Sequence, residues 1–364
     1  MTSTDSLADQ NPGSFRPTAG IGLLQLRSRL LDFTRAYFRT QDLWEVETPL
    51  LSRDIVVDAY LEPFTTWAEA SSECRPASWA CELFLQTSPE FAMKRLLASG
   101  ASSIFQITRA FRRGEIGRLH NPEFTILEWY HVGASYQDEM GFVEKFVCAF
   151  FDAATQPIAA DQSAGPTIAP ADKARRLLPR PFPRSAYDAL FKRTLGTGVL
   201  DKTPAELVQL AYAAGIEPPP GLALDDADGW LNLLLALKAE PELTREPAAF
   251  VYDYPASQAA LARIRPGLPP VAERFELYLS GVEICNGYQE LTDPSELRQR
   301  IAVQQELRHR EGSRSLPAES RLLAAMEAGL PACSGVALGF DRLLMAAVGA
   351  NSLADVIAFP FDRA

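Results

Sequence analysis

Apolar positions along this chain keep to two periods, and the switches between them mark the elements. From Ile21 onward, Leu23, Leu26, Leu30, Phe33 and Tyr37 recur at spacings of three and four, with arginines between them. That spacing predicts a helix with one buried stripe. Residues 44–51 alternate instead and run into Pro49, which predicts an edge strand stopped by a residue with no backbone N–H. Residues 82–86 and 103–110 read as strands. Between them Ser88-Pro89 opens a helix, with Ser88 as N-cap and Pro89 at the first helical position. Glu90 then lies where a carboxylate favours the helix dipole. Residues 136–151 return to the helical period.

Beyond that helix the composition changes. Residues 155–183 are rich in Ala, Pro and Arg and predict a loop. Residues 185–246 alternate helical patches (205–214 and 230–240) with turns such as Pro218-Pro219-Pro220-Gly221, a helical insertion. Residues 249–255 are a buried strand. Residues 274–291 form a hairpin turning at Ser280-Gly281, 295–311 a charged helix, and 333–345 a strand leading into a helix. The opening residues are rich in Ser, Asp, Gly and Pro and predict a flexible N-terminal tail over 1–19. The pattern gives one α+β domain over 20–364, interrupted by an insertion at about 155–245.

Composition narrows the class. The chain has 364 residues, 47% hydrophobic and 22% charged, ordinary for a globular protein. No apolar run approaches the roughly 18 residues of a membrane span, so no membrane partner is expected. Five scattered cysteines, none in a CxxC pair, and three histidines argue against a zinc site and for a reducing, cytoplasmic setting. A net charge of −11 leans away from an extended nucleic-acid surface.

Candidate chemistry concentrates in residues 111–130, FRRGEIGRLHNPEFTILEWY. Arg112, Arg113 and Arg118 lie in one short loop around Gly114, and guanidinium forks match phosphate oxygens. Phe124 offers a face for a base. Glu128 and Tyr130 are two apart on a strand, so both point to one face, where a carboxylate and a phenol together grip an amine. In the hairpin, a two-residue turn pairs 278 with 283 and 276 with 285. Glu276 and Glu283 then share a face. Two close carboxylates repel unless a cation lies between them or one is protonated, and Mg²⁺ on a nucleotide suits that place; an exposed acidic sheet face is the plain alternative. Asn286, Tyr288 and Glu290 differ in parity from Glu283, which predicts a bulge or kink near Gly287.

The 111–130 stretch resembles motif 2 of class II aminoacyl-tRNA synthetases in its lysyl-type form. Residues 20–51 are similar to motif 1, the dimer-forming helix and strand. Gly335-Val336-Ala337-Leu338-Gly339-Phe340-Asp341-Arg342 resembles motif 3. This likeness implies an antiparallel sheet flanked by helices, a homodimer, and ATP with Mg²⁺. Arg112 would hold the α-phosphate and Arg342 the γ-phosphate. Arg113, Gly114, His120, Asn121, Phe124, Glu283, Ile284 and Gly339 would line the nucleotide, and Glu276 with Glu283 would bind the metal. Ser88, Pro89, Glu90, Glu128, Tyr130, Asn286, Tyr288, Glu290 and Ala337 would receive lysine, with Glu290 meeting its side-chain ammonium.

Two features set the chain apart from lysyl-tRNA synthetases. No anticodon-binding domain is expected before motif 1, and Ala337 stands where those enzymes carry a middle glycine. Both resemble the truncated paralogues that join lysine or (R)-β-lysine to elongation factor P, with no use of tRNA. A tRNA-charging enzyme and a non-catalytic regulator stay open as alternatives. One departure concerns motif 2: its usual R-x-E reads Arg112-Arg113-Gly114, with Glu115 one place later. Either backbone groups around Gly114 or the Glu115 side chain would then read adenine.

Overall fold

A computed structural model of the protein describes residues 15–68, 81–156 and 178–364. Most of the expected tail and much of the 155–183 loop lie outside the described residues. The end of that tail is fixed: Thr18 N–H donates to Ala358 O at 2.9 Å, and Ala19 is buried.

Helix α1 (Ile21–Thr40) buries Leu23, Leu26, Leu30, Thr34 and Phe38; the stripe follows the predicted spacing as far as Leu30 and then shifts by one place, with Phe33 and Tyr37 only partly buried beside it. The alternating stretch after it is not one strand. It splits into β1 (Trp44–Glu45) and β2 (Leu51–Ser52), which join different sheets. Thr48-Pro49 lies between them, and proline cannot donate to a ladder.

The small sheet has the order β2-β4-β3, with β3 at Thr65–Ala68 and β4 at Cys81–Leu85. Helix α2 (Glu90–Ala98) follows. Its N-cap position is Pro89 rather than Ser88, one place later than expected. Ser88 Oγ still accepts from Glu90 N–H at 3.1 Å, so the hydroxyl satisfies a free helix donor from outside the cap position.

The main sheet is antiparallel through its centre. β5 (Ile104–Phe111), β6 (Glu123–Val132), β12 (Cys333–Gly339), β11 (Val282–Gln289), β10 (Val271–Leu279) and β8 (Ala249–Pro255) lie side by side in that order. β1 and β7 (Arg184–Ala186) add parallel edges, and β9 (Ile264–Arg265) pairs with β10. One face is covered by α1, α3 (Tyr136–Ala154) and α10 (Phe340–Val348), which bury Leu127, Trp129, Val336 and Leu338. Each such Leu contributes roughly 1.5–3 kcal/mol by leaving water.

The insertion is helical, as the pattern predicts, but it is not a loose appendage. Its strand β7 extends the main sheet. Its helices α4 (Tyr187–Leu195), α5 (Pro204–Ala213), α6 (Ala227–Leu234) and α7 (Glu240–Leu243) share a second core with β8 and β10 through Tyr187, Trp230, Val251, Tyr254 and Tyr278. Helices α8 (Pro294–Arg310) and α9 (Arg321–Gly329) pack near α2 in a third core. Among the described residues no helix is long and apolar enough to cross a membrane.

Candidate active site

The uncovered face of the central strands forms the floor of a cavity of about 430 Å³. Strand periodicity places its side chains. On β6, Phe124, Ile126, Glu128 and Tyr130 face the cavity, while Leu127 and Trp129 face the helices. On β12, Gly335, Ala337 and Gly339 face it.

The hairpin turns at Ser280 and Gly281, both with positive φ, the geometry of a tight two-residue turn. Tyr278 pairs with Glu283, as expected. The register then shifts, so that Leu277 pairs with Cys285 and Glu276 with Asn286, not with 285. The bulge therefore falls at Ile284, not near Gly287. One extra residue restores parity: Glu283, Asn286, Tyr288 and Glu290 all reach the cavity. Gly287 is needed for another reason, since a Cβ there would meet the Phe275 ring at 2.3 Å.

One end of the cavity is cationic and aromatic. The Arg112 guanidinium lies 5.1 Å from the centre of the Phe124 ring, and its Nε is buried without a partner. An orphan buried donor facing a cavity fits the acceptor atom of a ligand. Arg342 Nη2 donates to His120 Nε2 at 2.8 Å, and its Nη1 lies 3.4 Å from Glu283 Oε2. Burial and the nearby Arg342 hold the His120 pKa below its ordinary value, so the ring is neutral and can accept that bond. Asn121 borders the cavity, but its amide is engaged by Glu123 O and Phe361 N–H. Asp341 locks this end together: it accepts from Thr125 N–H at 2.8 Å and pairs with Arg27 at 2.6 Å.

The other end is acidic. Glu128 Oε1 accepts from Tyr130 Oη and Oε2 from Ser88 Oγ, both at 2.7 Å. Burial and the neighbouring Glu90 push the Glu128 carboxyl up to about 8, against the hydrogen bonds from Tyr130 and Ser88. Burial likewise raises Glu290 to about 7, opposed by Lys94. Gly335 is required between them: a Cβ there would stand 2.3 Å from Glu290 Oε1 and 2.4 Å from the Tyr130 ring. Ala337 is paired with Glu128 on one side and Asn286 on the other, at the centre of the floor.

Most of the expected residues thus converge on one cavity. Arg113, Gly114, Pro89 and Glu276 do not border it. Arg113 is exposed, with its N–H on Glu62 O, and Gly114 takes the left-handed region at φ 85°. Glu115 borders the cavity instead, 3.7 Å from Arg112 Nη1. Glu276 is buried behind the wall, accepting from Tyr254 Oη and Tyr278 Oη at 2.6 Å and from Arg274 Nη2 at 2.5 Å. Arg274, Glu115 and Lys94 are residues of this site that the sequence pattern hides wholly or in part. Arg274 borders the cavity and donates to Asn286 Oδ1 at 3.2 Å. Glu115 enters the sequence reading only as an alternative. Lys94 resembles one more charged position of a helix, and only its burial at 2% exposure reveals it.

The donor set bears on a metal ion. Among the described residues no group of three or more His, Cys, Asp or Glu side chains is arranged to hold one. Glu276 has both oxygens engaged, which leaves Glu283 as the free acid of the hairpin on the nucleotide wall. Its pKa is raised by enclosure and by Glu276, the condition an added cation relieves. A single carboxylate fits Mg²⁺ carried by a nucleotide, which takes most of its ligands from phosphate and water.

Comparison with known proteins agrees with this geometry. The family described as tRNA synthetases class II (D, K and N) matches residues 16–363. The elongation factor P–(R)-β-lysine ligase of Vibrio cholerae is 40% identical over 355 residues, covering 96% of this chain and 98% of its own length. Ligases of the same name from Salmonella paratyphi A and Salmonella dublin are 39% identical over 353 residues, with the same coverage. The motif arginines, the carboxylate-lined floor and these relatives converge: the chain belongs to the class II tRNA synthetase family, on the branch of the elongation factor P–(R)-β-lysine ligases.

Proposed function

We propose that this ligase activates (R)-β-lysine, or lysine, with ATP as an aminoacyl-adenylate and transfers it to the ε-amino group of a lysine on elongation factor P. One observation carries the reading: a single cavity has an arginine-lined end at Arg112 and Arg342 and a carboxylate-lined end at Glu90, Glu128 and Glu290. A nucleotide polyphosphate fits the first and a diamino acid the second.

Arg112 binds the α-phosphate, where negative charge grows as the amino acid's carboxylate attacks phosphorus. Arg342 holds the γ-phosphate, with His120 accepting from its guanidinium. Phe124 stacks on adenine, Gly339 and Ile284 border the nucleotide, and Glu115 takes the adenine contact that Gly114 lacks. Glu283 holds Mg²⁺, which when bound neutralises phosphate charge; Glu276 supports that wall from behind. Tyr130, Asn286 and Tyr288 orient the ammonium groups, and Ala337 sets the floor beneath the backbone end. The attack forms the adenylate and releases diphosphate. The acceptor amine then displaces AMP and forms an amide. Positioning accounts for the rate, with no covalent enzyme intermediate.

Trp44, Leu50 and Leu51 are large apolar side chains left exposed near β1, which supports a second copy packing on that edge as a homodimer. ATP–diphosphate exchange with α-lysine and (R)-β-lysine in parallel, followed by elongation factor P or tRNA as acceptor, tests the reading. Label on elongation factor P supports it; label on tRNA alone overturns it.

A further inference from the structure

The three carboxylates of the acidic end face one cation that belongs to the protein itself. Lys94 lies on α2 one turn beyond Glu90 and is 2% exposed. Its Nζ is 2.5 Å from Glu90 Oε1 and 2.5 Å from Glu290 Oε2. It also lies 5.9 Å from the centre of the Tyr130 ring. The titratable groups around it are Glu90 on α2, Glu290 just past β11, Glu128 and Tyr130 on β6, and Cys333 on β12, while α9 packs against α2 through the apolar Leu322, Leu323 and Met326. Burial pushes the Lys94 ammonium toward neutrality, and Glu290 and Glu90 more than reverse that. It stays charged.

The count of charges is simple. Glu90, Glu128 and Glu290 carry three negative charges when ionised, and Lys94 cancels one. Two remain. A ligand bringing two ammonium groups leaves this end neutral. A monoamino acid leaves one carboxylate desolvated and unpaired, which is costly in a closed site.

Resting on the proposed reading of this cavity, we propose that Lys94 is a positioning residue that fixes the acidic end at two negative charges and so selects diamino acids. It clamps Glu90 and Glu290 in place and leaves the outer oxygen of Glu90 and the Glu128 carboxylate to the ligand. The geometry supports this over a plain packing role. A buried ammonium needs carboxylate partners in any role, but both partners here border the cavity, so the pairing fixes groups that a ligand meets. Without Lys94 the three acids crowd together, and two of them share a proton to higher pH. A shared proton is one fewer partner for an ammonium group.

The test is amino-acid-dependent ATP–diphosphate exchange between pH 6 and 9 with wild type, Lys94→Met and Lys94→Gln. In wild type the KM for the diamino acid falls as pH rises and then levels off, because the acids must ionise to bind ammonium. In Lys94→Met the levelling point moves up by about one pH unit, and KM near neutrality rises about tenfold, because the ionised fraction of an acid falls about tenfold for each pH unit below its pKa. The KM for ATP stays within twofold, which also reports that the protein is folded. Lys94→Gln, which keeps a hydrogen-bond donor and loses the charge, shows the same displacement as Lys94→Met. A structural role alone would lower stability without moving the levelling point. Coincident pH profiles for wild type and Lys94→Met overturn the role of Lys94 and leave the reading of the cavity standing. No amino-acid-dependent exchange in wild type overturns that reading itself. If Lys94→Met does not fold, Lys94→Gln decides: a levelling point displaced upward supports the proposal, and an unmoved one overturns it.

Discussion

Arg112 holds its guanidinium over the Phe124 ring, 5.1 Å from the ring centre, while its Nε is buried with no partner. The stacking fixes the direction of the side chain, and the unpaired donor marks where an acceptor belongs. Replacing Arg112 by alanine should lower ATP–diphosphate exchange by at least ~100-fold, or about 3 kcal/mol, the usual size for loss of one preorganised donor to a transition-state oxygen. Arg112→Lys should not restore it, because an ammonium lacks the planar fork and stacks poorly. Exchange near the wild-type rate in either variant would remove Arg112 from the α-phosphate.

Gly335 supplies a second check, aimed at the acidic end. A methyl group there would meet Glu290 Oε1 at 2.3 Å and the Tyr130 ring at 2.4 Å, so both side chains must move. Gly335→Ala should raise the KM for the amino acid at least tenfold and leave ATP binding unchanged. Fluorescence titration with ATP separates the two effects. Equal loss of both ligands would mean a distorted sheet, not a blocked pocket.

Ala337 tests specificity. It lies between Glu128 and Asn286 on the floor, where one methyl group decides how the backbone end of a ligand lies. Ala337→Gly should shift the ratio of kcat/KM for α-lysine over (R)-β-lysine upward by about 10- to 100-fold, the range expected for a methylene-sized change in a pocket. Exchange assays with both amino acids measure it directly.

Much of this is legible in the sequence because it is periodic or carried by motif. Period-two spacing puts Glu128 and Tyr130 on one face, and parity demands a bulge in β11. Its location is not legible. Glycine attracts a bulge when only the sequence is in view, but Gly287 is held in regular pairing because the Phe275 ring packs where its Cβ would be; the extra residue falls at Ile284 instead. Glu276 shows a different limit of local reading. The residues that capture it, Tyr254, Tyr278 and Arg274, come from β8 and from its own strand, and nothing local signals which acids will be free. Lys94 is hidden for the same reason. Burial of a charge is a tertiary fact, and the helical pattern of α2 gives no sign of it.

The raised carboxyls predict how stability varies with pH. Glu128 at about 8 and Glu290 at about 7 lie above their ordinary value of 4.5 in an unfolded chain. Between those limits the folded chain binds more protons than the unfolded one, so stability contributed by these groups is full below about pH 4.5. It is lost as pH rises through 7 and 8. The ligand-free protein should therefore lose thermal stability progressively between about pH 4.5 and 8 and level off above that. Glu128→Gln should flatten that slope, and saturating diamino acid should do so too, by pairing the ionised acids. Melting curves with and without ligand test both, and a slope of opposite sign would contradict the burial of these groups as ionisable acids.

Arg308 links the cavity rim to a distant helix. It is fully buried on α8. Its Nη1 donates to Asp58 O at 2.9 Å and Leu61 O at 3.1 Å, its Nε to Arg314 O at 2.9 Å, and its Nη2 pairs with Glu62 at 2.5 Å. Asp58, Tyr60 and Leu61 border the cavity, and Glu62 O receives Arg113 N–H. One guanidinium thus fastens the rim segment to α8 and, through it, the motif 2 loop. Arg308→Met keeps most of the volume but leaves Glu62 and three carbonyls without their donor. Glu62 is 30% exposed, so the cost is that of leaving part-buried acceptors unpaired, about 1–3 kcal/mol. Chemical denaturation should show that loss. Exchange assays below the melting point should show a higher KM for ATP with a smaller change in KM for the amino acid, because the released rim lies beside Arg112 and Glu115. A stability loss with both KM values unchanged would confine Arg308 to the core and detach it from the site.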